Sequence, residues 1–282
     1  MITIFFILLI GSIVAGLLGS LTGLGGGVVI IPLLTIGLGV DIRYAIGTSL
    51  VAVIATSSGA AAAYVREGVT NMRIGMFLEI ATTIGAIGGA TLALIAPTHA
   101  IAILFGVVLL YSASISFINR KEENPSYSEP QYNSKNKLVS LLKLDGSYPS
   151  SEGPIFYRVL NLGDGFLMMI VAGVLSGLLG IGSGAFKVIA MDSMMKIPFK
   201  VSSATSNFMI GVTAAASAGI YLMRGYIDPV LSVPVVLGVL LGSMLGAKTL
   251  LKSKTKKLKI VFAIVIALLA LEMIYDGISK TL

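Results

Sequence analysis

The stretch Ser20-Leu21-Thr22-Gly23-Leu24-Gly25-Gly26-Gly27 interrupts an apolar run, and a close copy returns as Gly177-Leu178-Leu179-Gly180-Ile181-Gly182-Ser183-Gly184. Gly23, Gly25 and Gly27 recur as Gly180, Gly182 and Gly184, each 157 positions later. The same interval, without a gap, carries Val14-Ala15-Gly16 onto Val171-Ala172-Gly173, Thr48-Ser49 onto Thr205-Ser206, Tyr64 onto Tyr221 and Gly68 onto Gly225. Gly85 and Gly89 meet Gly242 and Gly246 in the same way. One small-residue motif recurs easily by chance, but a constant offset from Val14 to Gly246 does not. The chain is an internal duplication, and its fold must hold two copies of one unit.

Each copy is a series of apolar segments. They fall at roughly 2–21, 24–38, 44–64, 74–96 and 99–118, then at 160–181, 184–195, 200–222, 230–250 and 258–277. A chain with 56% hydrophobic and 12% charged residues and a mean hydropathy of +0.96 has no composition for a soluble surface. It suits a bilayer, where a spanning helix needs about 20 mostly apolar residues. The expected fold is an all-α polytopic membrane protein, with one membrane repeat over 1–118 and a second over 158–282. Residues 119–157, rich in Lys, Glu, Ser, Asn, Pro and Tyr, read as a mobile linker outside the membrane with a short amphipathic turn at Leu138–Leu142. Met1–Phe6 lacks the positive start of a secretory signal and reads as part of a retained span.

Charge sets the expected orientation. With every segment or glycine hairpin changing side, the breaks at 65–73, 119–158, 192–200 and 251–259 share one face. That face holds fifteen of the twenty Lys and Arg residues, while Arg43, Arg224 and Lys280 lie opposite and Lys187 and Lys248 lie within segments. The positive-inside rule puts the fifteen-residue face, and so the linker, in the cytoplasm and both termini outside. Each half then has an odd number of side changes, so the two repeats are expected to be inverted relative to each other. The net charge of +7 is loop charge of this kind, and nucleic acid is not an expected partner.

Segments 24–38 and 184–195 are too short to span. Twelve to fifteen helical residues cover only about 18–22 Å of a core about 30 Å thick. A broken or re-entrant helix hairpin fits better, and irregular backbone at that depth survives only buried in protein or lining a wet cavity. Gly25, Gly26 and Gly27, and their counterparts Gly182, Ser183 and Gly184, are expected to bring two helix N-termini toward one midplane point, where unpaired N–H groups attract a small anion. For Gly16, Gly85, Gly89, Gly242 and Gly246, close helix packing is the expected role.

Lys187 is the one charge within a turn of the second motif, where the first half has Ile30. An ammonium near the membrane centre costs about 2.5–3.5 kcal/mol on insertion scales, so something must offset it. The expected role is an anion partner facing the cavity. Thr48 and Ser49, with Thr205, Ser206 and Asn207, bring hydroxyl and amide donors to the next helix of each half; bonding between neighbouring helices is the open alternative. Glu79 and Glu272 also lie within apolar segments. Either could carry a proton, and with no obvious partner both read as interfacial.

At these residues the chain resembles the TauE/SafE family, the sulfite exporter or anion permease family. Gly23-Leu24-Gly25-Gly26-Gly27 with Pro32 is similar to the family's glycine motif and following proline, as are Gly47-Thr48-Ser49-Leu50 and Ala204–Gly211 to family sequence. The second copy departs from it, with Ser183 in place of a glycine and Ile189 where a proline is common. The resemblance covers nearly the whole chain outside the linker. It implies transport of small sulfur-containing anions such as sulfite or sulfonates across the cytoplasmic membrane, often outward.

The expected function is therefore a secondary transporter or facilitator of a small oxyanion bound at the midplane between the two glycine hairpins, with proton coupling and simple facilitated diffusion both open. An anion channel and a non-transporting membrane assembly protein are the alternatives. The spans offer no nucleophile–base pair, carboxylate cluster or metal motif, and the chain has no cysteine and only one histidine, His99, so neither an enzyme nor a cofactor or metal is expected. Expected partners are the small anionic substrate and the lipid bilayer, with homo-oligomerisation left open.

Overall fold

The computed structural model describes residues 2–22, 25–117, 137–150, 153–252 and 256–279. Its helices are α1 (Ile2–Thr22), α2 (Gly27–Leu38), α3 (Ile42–Arg66), α4 (Met72–Ile95) and α5 (Thr98–Phe117), then a short α6 (Lys137–Leu141). The second series is α7 (Leu162–Leu179), α8 (Gly184–Ile189), α9 (Phe199–Met223), α10 (Pro229–Lys252) and α11 (Lys256–Ser279). Local chemistry sets several boundaries. The Asn71 side chain accepts the Ile74 N–H to start α4, Pro97 and Pro198 stand just before α5 and α9, and α10 opens on Pro229, whose missing N–H costs nothing there. Gly39, at φ +64, closes α2 with its N–H on the Thr35 carbonyl.

Five of these helices are long and apolar enough to cross a membrane: Ile42–Arg66, Met72–Ile95, Leu162–Leu179, Phe199–Met223 and Pro229–Gly246. Ile4–Ser20, Gly27–Leu38 and Thr98–Ser114 are shorter apolar helices. The protein is an all-α, multi-pass membrane protein. Its outward faces agree: Met76, Ile80, Ile84 and Ile87 of α4 are exposed at helical spacing, as are Ile264, Leu268, Leu271, Tyr275 and Ile278 of α11. In water such stripes would be untenable, whereas lipid solvates them.

The two series pack into each other. α1 lies against α10 and α4 against α7, while α3 meets α9 and α5 meets α11. Gly242 sits on the backbone of Ile13 and Leu17 and Gly246 on that of Leu17, so α1 and α10 run parallel. Gly85 sits on Ile170 and Val174, and Gly177 on Ala86 and Ala90, so α4 and α7 do likewise. In contrast α3 and α9 run antiparallel, Gly47 touching Tyr226 while Ser57 bonds the Asn207 carbonyl. α5 and α11 are also antiparallel, with Gly106 on Ala270 and Gly277 on His99.

One end of the bundle gathers the α3–α4 turn, the stretch after α8 and the second half of the linker. Asn71 Nδ2 donates to the Leu144 carbonyl (3.0 Å) and the Tyr157 hydroxyl (2.7 Å), and the Leu160 N–H reaches the Met195 carbonyl. The Lys200 ammonium stands 5.9 Å from the Tyr148 ring centre. The expectation of a mobile linker is corrected for residues 137–150 and 153–157, while its part over 119–136 lies outside the described residues. Gly146–Ser150 (β1) and Gly153–Tyr157 (β2) form an antiparallel ribbon, Ser147 opposite Phe156, and Val139, Leu144 and Val159 are buried with Val69, Ile74 and Ile197. Aromatic and branched side chains give this segment an apolar underside that its overall polarity hides. The charges counted at Arg120, Lys121, Lys135 and Lys254 lie outside the described residues.

Small residues let the helix backbones touch. A methyl group on Gly85 or Gly89 would collide with the carbonyl of Ile170 or Val174, whereas Gly88 on the same helix faces open space. Gly85→Ala and Gly89→Ala are each expected to lower stability by about 1–3 kcal/mol, and Gly88→Ala to leave it unchanged or raise it by up to about 1 kcal/mol. Thermal melting of the three variants in detergent checks this.

Candidate functional site

Both glycine stretches break their helices, and the breaks meet. Gly25 and Gly182, 157 positions apart, hold matching left-handed backbone at φ +79 and +71, which a side chain would strain. The next pair diverges: Gly26 is right-handed at φ −67, whereas Ser183 is left-handed at φ +45. Across the bundle a Cβ on Gly25 would lie 3.5 Å from the Ile181 carbonyl oxygen, and one on Gly27 would lie 2.8 Å from that of Gly180. Ser49 Oγ donates to the Gly180 carbonyl (2.8 Å), so a hydroxyl of the first half satisfies an acceptor freed by the break in the second. Val53 stands against Gly25, Gly27 and Gly182, and its repeat mate Ile210 against Gly182.

The segment after the second break is not one regular helix. Six α-helical residues, Gly184–Ile189, pass into a five-residue π turn, Ala190–Met194. Ser183 Oγ donates to the Ala172 carbonyl (2.5 Å) and does not cap α8. Ser206 Oγ donates to the Gly184 carbonyl (3.2 Å).

One turn into α8, Lys187 is wholly buried (0% exposed). Its Nζ donates to Thr213 Oγ1 (2.5 Å) on α9, and the Thr213 hydroxyl in turn lies 2.6 Å from Glu79 Oε1 on α4, placed to donate to it. Thr83 Oγ1 donates to the same carboxylate oxygen at 3.4 Å. Glu79 is only 7% exposed, and its Oε2 is buried with no hydrogen-bond partner. The interfacial reading of Glu79 is thereby corrected: it lies inside, between the halves, and helps offset the cost of Lys187. Glu272 is exposed.

This cluster exists on one side of the repeat only. The mates of Lys187, Thr213, Glu79 and Thr82 are Ile30, Thr56, Val236 and Val239. A Cβ on Gly26 would lie 3.3–3.5 Å from Thr56 Oγ1, Ile30 and Val239, and Thr56 spends its hydroxyl on the Ala52 carbonyl (2.9 Å) of its own helix. The same shell is thus apolar in one half and ionic in the other.

The remaining expected residues divide. Gly25, Gly26, Gly27, Ser49, Gly182, Ser183, Gly184, Lys187 and Ser206 lie at or beside the crossing. Thr48 is buried in α3 with no hydrogen-bond partner on its Oγ1. Thr205 lies toward the linker end, where its Oγ1 accepts the Asn71 N–H (3.0 Å). Asn207 turns its amide back onto the Ser203 carbonyl (3.0 Å). Thr213 and the partnership of Glu79 escaped sequence reading. The available signals were the repeat pairing of Thr213 with Thr56 and the scarcity of acids within the spans, which left Lys187 few candidates.

A sequence-family profile described as Sulfite exporter TauE/SafE matches residues 8–273. The chain is 28% identical over 281 residues to a probable membrane transporter protein, YunE, of Bacillus subtilis (strain 168), covering 97% of this chain and 98% of the relative. It is 30% identical over 234 residues to the probable membrane transporter protein YdhB of the same organism, covering 83% and 85%. The probable membrane transporter protein MJ0441 of Methanocaldococcus jannaschii is 25% identical over 287 residues, covering 95% and 94%. No solved structure matches.

Lys187 and Glu79 are buried groups of opposite charge bridged by the Thr213 hydroxyl, so removing one strands the other. Lys187→Met is expected to cost about 3–5 kcal/mol, and adding Glu79→Gln to recover part of it, with a coupling of about 0.5–3 kcal/mol. A double-mutant cycle of detergent melting curves reads both; additive losses would mean that the two side chains do not sense each other.

Proposed function

The chain belongs to the sulfite exporter TauE/SafE family of membrane transporters, and from that premise we propose that it carries a small sulfur-containing anion such as sulfite or a sulfonate, outward across the cytoplasmic membrane. The observation that carries the reading is Lys187, a buried ammonium at the junction of the two halves and one turn from the glycine break. A fold retains such a charge at a cost of several kcal/mol, and a ligand of opposite sign gives that cost a use. The glycine motifs let the anion approach backbone N–H groups closely.

The binding point lies between two glycine hairpins related by inverted repeats. Repeat mates α3 and α9 run antiparallel, as do α5 and α11, while α1 pairs with α10 as α4 does with α7. A two-fold axis in the membrane plane generates this pattern, and rocking of one half against the other would alternate access. The linker face is cytoplasmic by its basic residues and the termini lie outside.

Labelled sulfite counterflow into proteoliposomes tests the reading, with sulfate, thiosulfate and small sulfonates as competitors. Saturable, competed uptake is expected, and Lys187→Ala should raise KM at least about tenfold, since a charge-assisted hydrogen bond is worth about 1.5–3 kcal/mol. Unitary currents without saturable counterflow would indicate a channel instead. No uptake of any sulfur anion by folded protein would remove the substrate class.

A further inference from the structure

Building on the anion-transport reading, we propose that Glu79 is a resident counter-anion for Lys187 which takes up a proton when the substrate anion arrives, so that the anion crosses together with one proton. The argument starts from charge conservation in a dry site. Lys187 and Glu79, joined through the Thr213 hydroxyl, sum to zero charge and are shut away from water. An anion added alone would leave a buried net charge of −1, whereas an anion with a proton on Glu79 restores zero. The second state avoids the desolvation cost of the first.

The geometry offers a place for that proton. Glu79 Oε1 is held by Thr213 and Thr83, while Oε2 is buried and unpartnered, free to become a carboxyl O–H. The proton comes from the aqueous side that delivers the anion and leaves with it. Thr213 can serve both states. Its oxygen accepts from Lys187 and its proton points to Glu79 at rest; once Glu79 is neutral, that proton can turn to the Met209 carbonyl, 2.9 Å away, while the other N–H groups of the ammonium turn to the substrate. Among the described residues, the elements packed around the pair bring few other ionisable groups: α8 has only Lys187, the π turn after it Asp192, α7 Asp164 near its start, and α9 Lys200 and Tyr221 near its two ends; on α4 itself the other charge is Arg73, in the first turn. The apolar mates in the other half make it a single site, hence one proton per anion.

The test uses labelled methanesulfonate, whose charge does not vary with pH, and full-length protein in proteoliposomes carrying a pH dye in the lumen. In the wild type, KM should fall about tenfold per unit drop in pH while Glu79 is unprotonated in the free carrier. Uptake should acidify the lumen one proton per anion and should ignore an imposed potassium diffusion potential. Glu79→Gln, which mimics the protonated carboxyl, should flatten the KM profile, abolish lumen acidification and make uptake sensitive to the potential. If that variant does not fold, the wild-type proton and potential measurements still decide. Wild-type uptake that follows the potential, leaves the lumen pH unchanged and shows a flat KM overturns the inference while leaving transport intact. Absence of any saturable uptake overturns the transport reading and this inference with it.

Discussion

A peptide group inside hydrocarbon has no water to bond, and the architecture follows from that constraint. Regular helix satisfies it along most of the chain. Where the chain breaks, at Gly25 and again at Gly180–Ser183, the breaks lie in the middle of the bundle with the other half as cover. The bond from Ser49 Oγ to the Gly180 carbonyl shows the dependence directly, because a serine of one repeat supplies what the break in the other has lost. Neither half could keep its broken backbone in lipid without its counterpart.

Close approach of the halves is a matter of side-chain size. Carbonyls and Cα atoms of α1 and α4 touch the glycines of α10 and α7, so van der Waals contact between backbones replaces the hydrophobic drive that lipid does not provide. This packing places α4 beside α9 and so brings Glu79, Thr213 and Lys187 to one point. The duplicated frame tolerates divergence inside. Where the second half carries the lysine, the equivalent surroundings of Gly26 hold Ile30 and Val239, so the charged trio stands at one of the two positions only.

Much of the frame was legible. The apolar segments reappear largely as helices, and Gly25 and Gly182 take left-handed backbone, because hydrophobic length and glycine content act locally. The packing role expected of Gly85 and Gly242 was also readable, since small residues at helical spacing have few other uses in a bilayer. The linker was read less well. Its polar composition concealed an alternation that turns Tyr148 and Tyr157 toward the bundle, and a two-stranded ribbon has too little pattern to announce itself.

By itself the sequence determined that the chain must lie in a membrane, that its motifs recur at one fixed interval, and that Lys187 needs compensation, because solvation cost and repeat spacing are properties of the chain alone. Only the tertiary structure decided who compensates it. Glu79 and Thr213 stand 108 and 26 positions from Lys187, and no local rule links them. They meet because α4 and α9 are packed side by side with α8 against α9, and a low-dielectric interior lets a charge be held only by groups that packing has already put within reach.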